Sequence, residues 1–278
     1  MQNNTPLISV IMGVYYRRDD LYLLRRSVES ILNQSFTDFE FLICDGGSTL
    51  AACNYLDEAA NRDNRIRLIR DVNVKTDLAH KLNACLRYAR GKYIARMDDD
   101  DFSHPDRFEK QIAFLEKHPE ISFVGCNVNL MCDGTQVGQR VLPERPTVHD
   151  FYMVQPYIHP TLIFRREVFE NTAGYSEEKH TLLCEDYDLL LRLYTEGCVG
   201  CNLQEILFDY TISETENGKR KMVHRCNEVV TRWNRFRDLK CLPKALPYVI
   251  KPLAVGVLPK FILAGLKARR RRKHDPCC

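Results

Sequence analysis

Hydrophobic and polar positions alternate along this chain in blocks that change period. Leu7 to Tyr15 (LISVIMGVY) is a short apolar run rich in β-branched residues, the pattern of a strand buried on both faces of a parallel sheet. After Asp19 and Asp20, residues Leu21, Leu24, Val28, Ile31 and Leu32 recur at helical spacing, and the two acids suit a helix start. Phe39 to Cys44 is a second apolar run, broken by the turn sequence Asp45-Gly46-Gly47-Ser48. A helix to about Asn61, a strand over Arg65–Ile69 and a helix from Asp77 to Arg90 closed by Gly91 follow. Lys92 to Met97 reads as a strand, and Pro105 opens a helix with Phe108, Ile112 and Leu115 inward.

The order βαβαβαβ predicts an α/β fold with a doubly wound, mostly parallel, Rossmann-like sheet. Ligands of such sheets bind beyond the carboxyl ends of the strands, where Tyr15, Asp45 and Asp98-Asp99-Asp100-Asp101 all fall. Four consecutive aspartates repel one another and raise each other's proton affinity unless a cation offsets them. Hard oxygen donors suit Mn or Mg, ions that keep open positions for substrate phosphates. That points to displacement of a nucleoside diphosphate, with the cation stabilising charge on the leaving phosphates. The structural alternative is a solvated acidic loop, or Asp101 capping the helix behind it. No GxxxxGK[ST] and no GxGxxG after a strand is present, which removes P-loop and dinucleotide-binding classes.

A second acidic site is Glu185-Asp186, at the start of a helix whose Leu189, Leu190 and Leu193 face a core and which Gly197 stops. Asp186 is either a partner of the helix dipole or a general base for an acceptor hydroxyl, with Glu185 beside it. His159, in His-Pro-Thr before the run Leu162–Phe164, stands near the acceptor or is a satisfied structural histidine. Arg165 and Arg166 reach phosphates or are solvated, and local sequence does not choose. Trp233, the one tryptophan, reads as core in a late helix.

Charge changes the picture at the C-terminus. The first 239 residues hold 30 Lys/Arg against 36 Asp/Glu, whereas the rest hold 10 against 1. An acidic body argues against nucleic-acid binding, and the basic end, with Lys267 and Arg269–Lys273 behind an apolar stretch broken by prolines, suits an anionic membrane surface. The start of the chain has no signal-peptide pattern, so a cytoplasmic protein, peripheral on the inner membrane face, is expected. Twelve scattered cysteines, with Cys198 and Cys201 the one CxxC, read as reduced thiols.

In order and spacing, SVIMGVYYRRDDLYLLRRSVESILNQSFTDFEFLICDGGST, ARGKYIARMDDDDFSHPDRFEKQIAFLEKHPEISFVG, HPTLIFRREVFENTAGY and EDYDLLLRL resemble the family-2 glycosyltransferases of GT-A fold that build bacterial surface polysaccharides. The resemblance implies that Val14, Tyr15 and Asp45 hold the nucleoside and that Lys81 helps with the diphosphate. It also sets Asp98 and Asp99 against the nucleotide sugar, Asp98 and Asp100 on the metal, and makes Asp186 the base of an inverting displacement. Residues 1–215 would be the GT-A domain, and 216–278 a helical, basic, membrane-associating extension. The donor would be a nucleotide sugar, UDP-linked, and the acceptor a glycan or lipid-linked glycan. Departures are Gly46, where the family commonly has a second acid, and Val229, where processive members have Gln before Arg-Trp, so one sugar per encounter is expected. A nucleotidylyltransferase-like enzyme and a non-catalytic glycan-binding or scaffold protein are the competing readings.

Overall fold

The computed structural model describes residues 5–71, 77–212 and 221–257. Four parallel strands form its base: β1 (Ile8–Val14), β2 (Phe39–Asp45), β3 (Ile66–Arg70) and β4 (Tyr93–Met97), in the spatial order β3-β2-β1-β4. Helices α1 (Tyr22–Leu32) and α2 (Leu50–Arg62) connect β1 to β2 to β3, and α3 (Leu78–Leu86) leads back to β4. The chain therefore winds outward from β1, then returns to its other side, which makes the gap between β1 and β4 the topological switch point.

Alternate residues of each strand feed two cores, as the two-residue period requires. Val10, Met12, Phe41, Ile43 and Ala95 pack with α1, α2 and α4 (Arg107–Lys117) on one face. Ile11, Leu42, Cys44 and Ile94 pack on the other with α3 and α7 (Glu185–Thr195). A doubly wound sheet is thus present. Its second half is mixed, because β8 (Ile163–Arg165) runs antiparallel to both β4 and β6 (Phe123–Cys132). Beyond them, β9 (Gly200–Thr211) lies parallel to β6, the short β5 (Phe102–Ser103) pairs with β9, and β7 (Thr135–Arg140) hangs on β6 as a hairpin.

Local expectations differ from the structure at three places. The third helix ends at Leu86 rather than at Gly91, and Gly91 serves a different purpose. A Cβ there would stand 2.5 Å from the Ser9 amide nitrogen and 2.7 Å from the Ile8 carbonyl carbon, so the entry of β4 passes against β1 with room for glycine alone. The acids before α1 do not cap it directly, since its N-cap is Leu21. Asp20 Oδ1 instead accepts the Tyr22 amide at 2.8 Å. Trp233 is 45% exposed, not core. It lies on α8 (Met222–Asp238), which turns Thr231, Arg232 and Phe236 inward and leaves the next position past Arg232 outside.

Two shorter helices, α5 (Asp150–Met153) and α6 (Glu167–Thr172), precede α7. After α8 come α9 (Leu242–Val249) and α10 (Lys251–Val257), so the C-terminal extension is helical as far as it is described. It rests on the body: Thr231 donates to the His180 carbonyl at 2.9 Å, Arg235 pairs with Asp188 of α7 at 2.8 Å, and the Tyr248 ring stacks on Tyr152. Among the described residues no helix is long and apolar enough to cross a membrane, and the ten described cysteines are free thiols. The Arg269–Lys273 cluster lies outside the described residues.

Candidate active site

The carboxyl ends of β1, β2 and β4 meet at one edge because the register pairs Val14 with Asp45 and Met12 with Met97. The loops leaving β1 and β2 are tied together there. Gly46 donates to the Val14 carbonyl, Thr49 to the Tyr16 carbonyl, and the Tyr16 amide to Ser48 Oγ at 2.9 Å. Gly47 adopts φ +92°, a left-handed conformation that glycine takes without strain.

Asp45, buried at the end of β2, has its carboxylate oxygens supplied from this turn. Oδ1 accepts the Ser48 amide at 3.0 Å and the Ser48 hydroxyl, while Oδ2 accepts from Cys53 and Arg70. Burial raises its pKa, but these donors outweigh burial and hold it below the usual carboxylate value. Four donors fill about four acceptor sites, so this carboxylate organises the turn rather than projecting free oxygens.

Two cations lie over the Tyr15 ring, with Lys81 Nζ and the Arg17 guanidinium each 5.5 Å from its centroid. Lys81 comes from α3, and close approach at Gly13 lets it in: a Cβ on Gly13 would be 3.0 Å from Lys81 Cβ. Burial lowers the Lys81 pKa, while Asp99, Asp45 and Asp77 pull it up. The ammonium is thus electrostatically coupled to both acid-bearing loops.

The aspartate run follows β4 directly, and each member is held differently. Asp98 takes its charge partner from beneath: Arg96, fully buried in β4, donates to Asp98 Oδ1 and to the Met97 carbonyl. Ser27 Oγ of α1 donates to the Asp98 carbonyl at 2.6 Å. Asp99 carries no such brace, and burial followed by repulsion from Asp100 and Asp98 pushes its pKa up to about 7. Asp100 faces Arg18 at 3.7 Å, with its backbone carbonyl taking the Thr211 hydroxyl. Asp101 is buried and accepts the Thr211 amide at 2.7 Å, so it anchors the end of β9 rather than capping α4. The run supplies hard oxygen donors of the type divalent cations take, but among the described residues no three His, Cys, Asp or Glu side chains converge as a ready metal site.

Beside Asp98 opens a cavity of about 650 Å³ whose wall includes Asp98, His159, Glu185 and Asp186. Asp186, at the second position of α7, receives the Tyr187 amide on Oδ1 at 2.7 Å and the Gln155 side-chain amide on Oδ2 at 2.9 Å. Glu185 is buried, and burial plus the charge of Asp186 raise its pKa to about 7. His159 Nε2 shares a hydrogen bond with the Tyr175 hydroxyl at 2.8 Å, and burial and then Arg96 drive its pKa well below the ordinary value, so the ring is neutral. It lines the cavity with Nε2 engaged by Tyr175.

Arg165 and Arg166 stand at the opposite end of the sheet, where Arg165 donates to the carbonyls of Leu115, His118 and Ile121 and Arg166 to that of Arg90. Arg165 also donates to the Tyr93 hydroxyl, and Arg166 pairs with Glu170 at 3.2 Å. Sequence reasoning passed over Arg96, Gln155, Arg18 and Thr211. An arginine inside the apolar run Lys92–Met97 was a usable signal for the first, and nothing local marked the others.

Comparison with known proteins extends this picture. The model of the glycosyl transferase family 2 matches residues 9–172. The chain is 35% identical over 269 residues, 96% of its length and 95% of the other, to a Bacillus subtilis protein assigned as the glycosyltransferase EpsE. It is 32% identical to the O-antigen biosynthesis glycosyltransferase WbnJ of Escherichia coli, over 78% of this chain and 84% of that one. Its fold matches that of S. aureus TarS residues 1–349 in complex with UDP-GlcNAc, with TM-score 0.67 at 18% identity, covering 88% of this chain and 72% of that one. A mannosyltransferase from Pyrobaculum calidifontis in complex with GDP-Man and Mn2+ matches with TM-score 0.63 at 17% identity, over 95% and 80% of the two chains. The architecture is the GT-A fold.

Proposed function

Because the chain belongs to the glycosyl transferase family 2, we propose that it moves one sugar at a time, with inversion, from a UDP-linked donor to a hydroxyl of a glycan or lipid-linked glycan in surface-polysaccharide synthesis. The observation that carries this reading is the shared cavity, which both Asp186 and Asp98 line although they lie 88 positions apart in sequence (186 − 98).

In this reading the acceptor hydroxyl lies against Asp186, which takes its proton as the oxygen attacks the anomeric carbon. The bond from that carbon to the donor's β-phosphate oxygen breaks, and its electron pair leaves with the nucleoside diphosphate. Attack from the face opposite the leaving group inverts the anomeric centre. Gln155 and the Tyr187 amide orient the Asp186 carboxylate. Lys81 offers a cation on the diphosphate side, and Val14 and Tyr15 at the end of β1 cradle the nucleoside, with the Asp45 turn shaping that cradle. A bound Mn or Mg on Asp98 and Asp100 would supply charge stabilisation for the leaving diphosphate. Asp99 lies along the nucleotide sugar, and Glu185 and His159 border the acceptor.

Residues 1–215 constitute the transferase domain in this proposal, and 216–278 a basic helical region that meets anionic lipid at the inner face of the membrane. The similarity to WbnJ, named for O-antigen biosynthesis, supports the polysaccharide assignment. The deciding experiment is release of UDP from a panel of UDP-sugars, with and without Mn2+. The parent protein should release UDP from one donor in a metal-dependent manner, whereas Asp100→Ala and Asp186→Asn should each fall at least 100-fold. Turnover equal to the parent in both variants would remove the assigned roles.

A further inference from the structure

The cavity beside Asp186 is lined by groups of both signs. Asp98, Glu185, Asp186 and Glu228 line it together with Arg232 and with Arg140, Arg225 and Lys251, which come from three separate elements, the end of β7, α8 and the start of α10. Arg140 and Arg225 belong to a body whose first 239 residues are net acidic, so general surface charge does not explain them. Nor are these two arginines explained by an ion pair of their own. Arg232, which also lines the cavity, is matched by Glu228 at 3.0 Å. Arg140 instead donates to the Gln155 carbonyl at 2.8 Å and Arg225 to the Pro252 carbonyl at 3.3 Å. Neither has a carboxylate within ion-pair distance among the described residues. Burial lowers the Arg140 pKa, and the Tyr210 phenol is the group that opposes it. A partly buried cation held only by neutral dipoles carries a desolvation cost that an anionic ligand would offset.

Position sharpens the argument. Arg140 binds the backbone of Gln155, whose side chain binds Asp186. Arg140 is therefore linked to the proposed base through two hydrogen bonds, and Lys81, assigned to the donor diphosphate above, does not line this cavity. A guanidinium offers a planar fork that matches phosphate and carboxylate oxygens alike.

We infer that the acceptor carries an oxyanion next to the sugar that receives the new bond, and that Arg140, with Arg225, holds that oxyanion while Asp186 addresses the hydroxyl. This rests on the transferase reading above. The oxyanion is a phosphate ester or diphosphate, as on a lipid-linked sugar, or the carboxylate of a uronic acid within a glycan. Both chemistries meet the same two guanidinium groups.

The test is calorimetric titration of the full chain with its donor site first filled by UDP and Mn2+. The probes are octyl diphosphate, methyl glucuronide as the carboxylate, and octyl glucoside as the neutral control. One anionic probe should bind at one per chain and at least tenfold more tightly than octyl glucoside, and which one binds names the source of the oxyanion. Arg140→Gln should weaken that binding at least tenfold while leaving UDP affinity unchanged. Should Arg140→Gln lose its cooperative melting transition, Arg225→Gln makes the same decision from the surface of α8. Equal binding of charged and neutral probes, no binding of any, or parent-like anion binding by the deciding variant overturns the inference. Failure of UDP to bind the parent would bring down the transferase reading and this inference together; UDP binding without anion binding brings down this one alone.

Discussion

The side-chain amide of Gln155 donates to Asp186 Oδ2 at 2.9 Å, so the carboxylate proposed as the base is aimed by a residue that belongs to no recognisable motif. Asp186 Oδ1 is meanwhile occupied by its own helix, through the Tyr187 amide. Removing the Gln155 amide takes one brace from the carboxylate, and a misplaced reacting group costs about 10-fold to 100-fold in rate. Gln155→Ala is expected to lower kcat by about 10-fold with the donor KM unchanged. Steady-state kinetics checks this, and a parent-like kcat would show that Gln155 does not position the base.

Stability should fall as pH rises through neutrality. Glu185 and Asp99 hold protons in the folded chain up to about pH 7, whereas carboxyl groups in the unfolded chain lose theirs near pH 4. Between those values the folded state binds more protons than the unfolded one, so raising the pH favours unfolding. The metal-free protein should melt lower at pH 8 than at pH 6, and Glu185→Gln should flatten the difference. A melting temperature that climbs over that interval would contradict the raised pKa values.

The same proton competes with a cation for the aspartate loop. Because burial, Asp100 and Asp98 raise Asp99 to about 7, a divalent ion that draws on this negative potential must displace more protons at lower pH. Mn2+ affinity, followed by electron paramagnetic resonance of the free ion, should increase at least several-fold from pH 6 to pH 8. An affinity independent of pH would separate the metal from this cluster.

Arg96 is fully buried and neutralises Asp98 from below. Its pKa is lowered by burial but raised by a larger sum from Asp98, Tyr175 and Asp101, so it stays charged. Arg96→Leu would strand these acids and is expected to cost about 3 kcal/mol, in the range for breaking a buried pair. Chemical denaturation measures it, and a loss below about 1 kcal/mol would mean that Asp98 finds its counter-charge elsewhere.

Gly91→Ala tests the passage of β4 against β1. The added methyl would overlap the Ser9 and Ile8 backbone, which cannot swing aside as a side chain can. Overpacking of this kind typically costs about 1–3 kcal/mol. The denaturation midpoint should drop accordingly, whereas an unchanged midpoint would show slack between the two strands.

Repeating apolar blocks determined β1 to β4 and the helices between them, because burial on two faces of a parallel sheet leaves continuous Val/Ile/Leu runs that local sequence cannot disguise. They also determined that Tyr15, Asp45 and Asp98–Asp101 share one edge, since parallel strands point their carboxyl ends the same way. The antiparallel insertion of β8 between β4 and β6 was not legible, because pairing partners far apart in sequence leave no periodic mark. Trp233 shows the same limit: its composition suggested core, and only the packing of α8 on α7 decided which face turns outward.

The aspartates themselves divide in this way. Their sequence determined that a block of negative charge ends a buried strand, and elementary electrostatics then requires something to offset it. Tertiary structure alone decided how: Arg96 beneath Asp98, Thr211 across Asp101, Arg18 over Asp100, and Asp99 left to hold its proton up to about pH 7. A carboxylate's charge is written in the chain, but its partners and its proton depend on which distant groups the fold brings within a few ångströms.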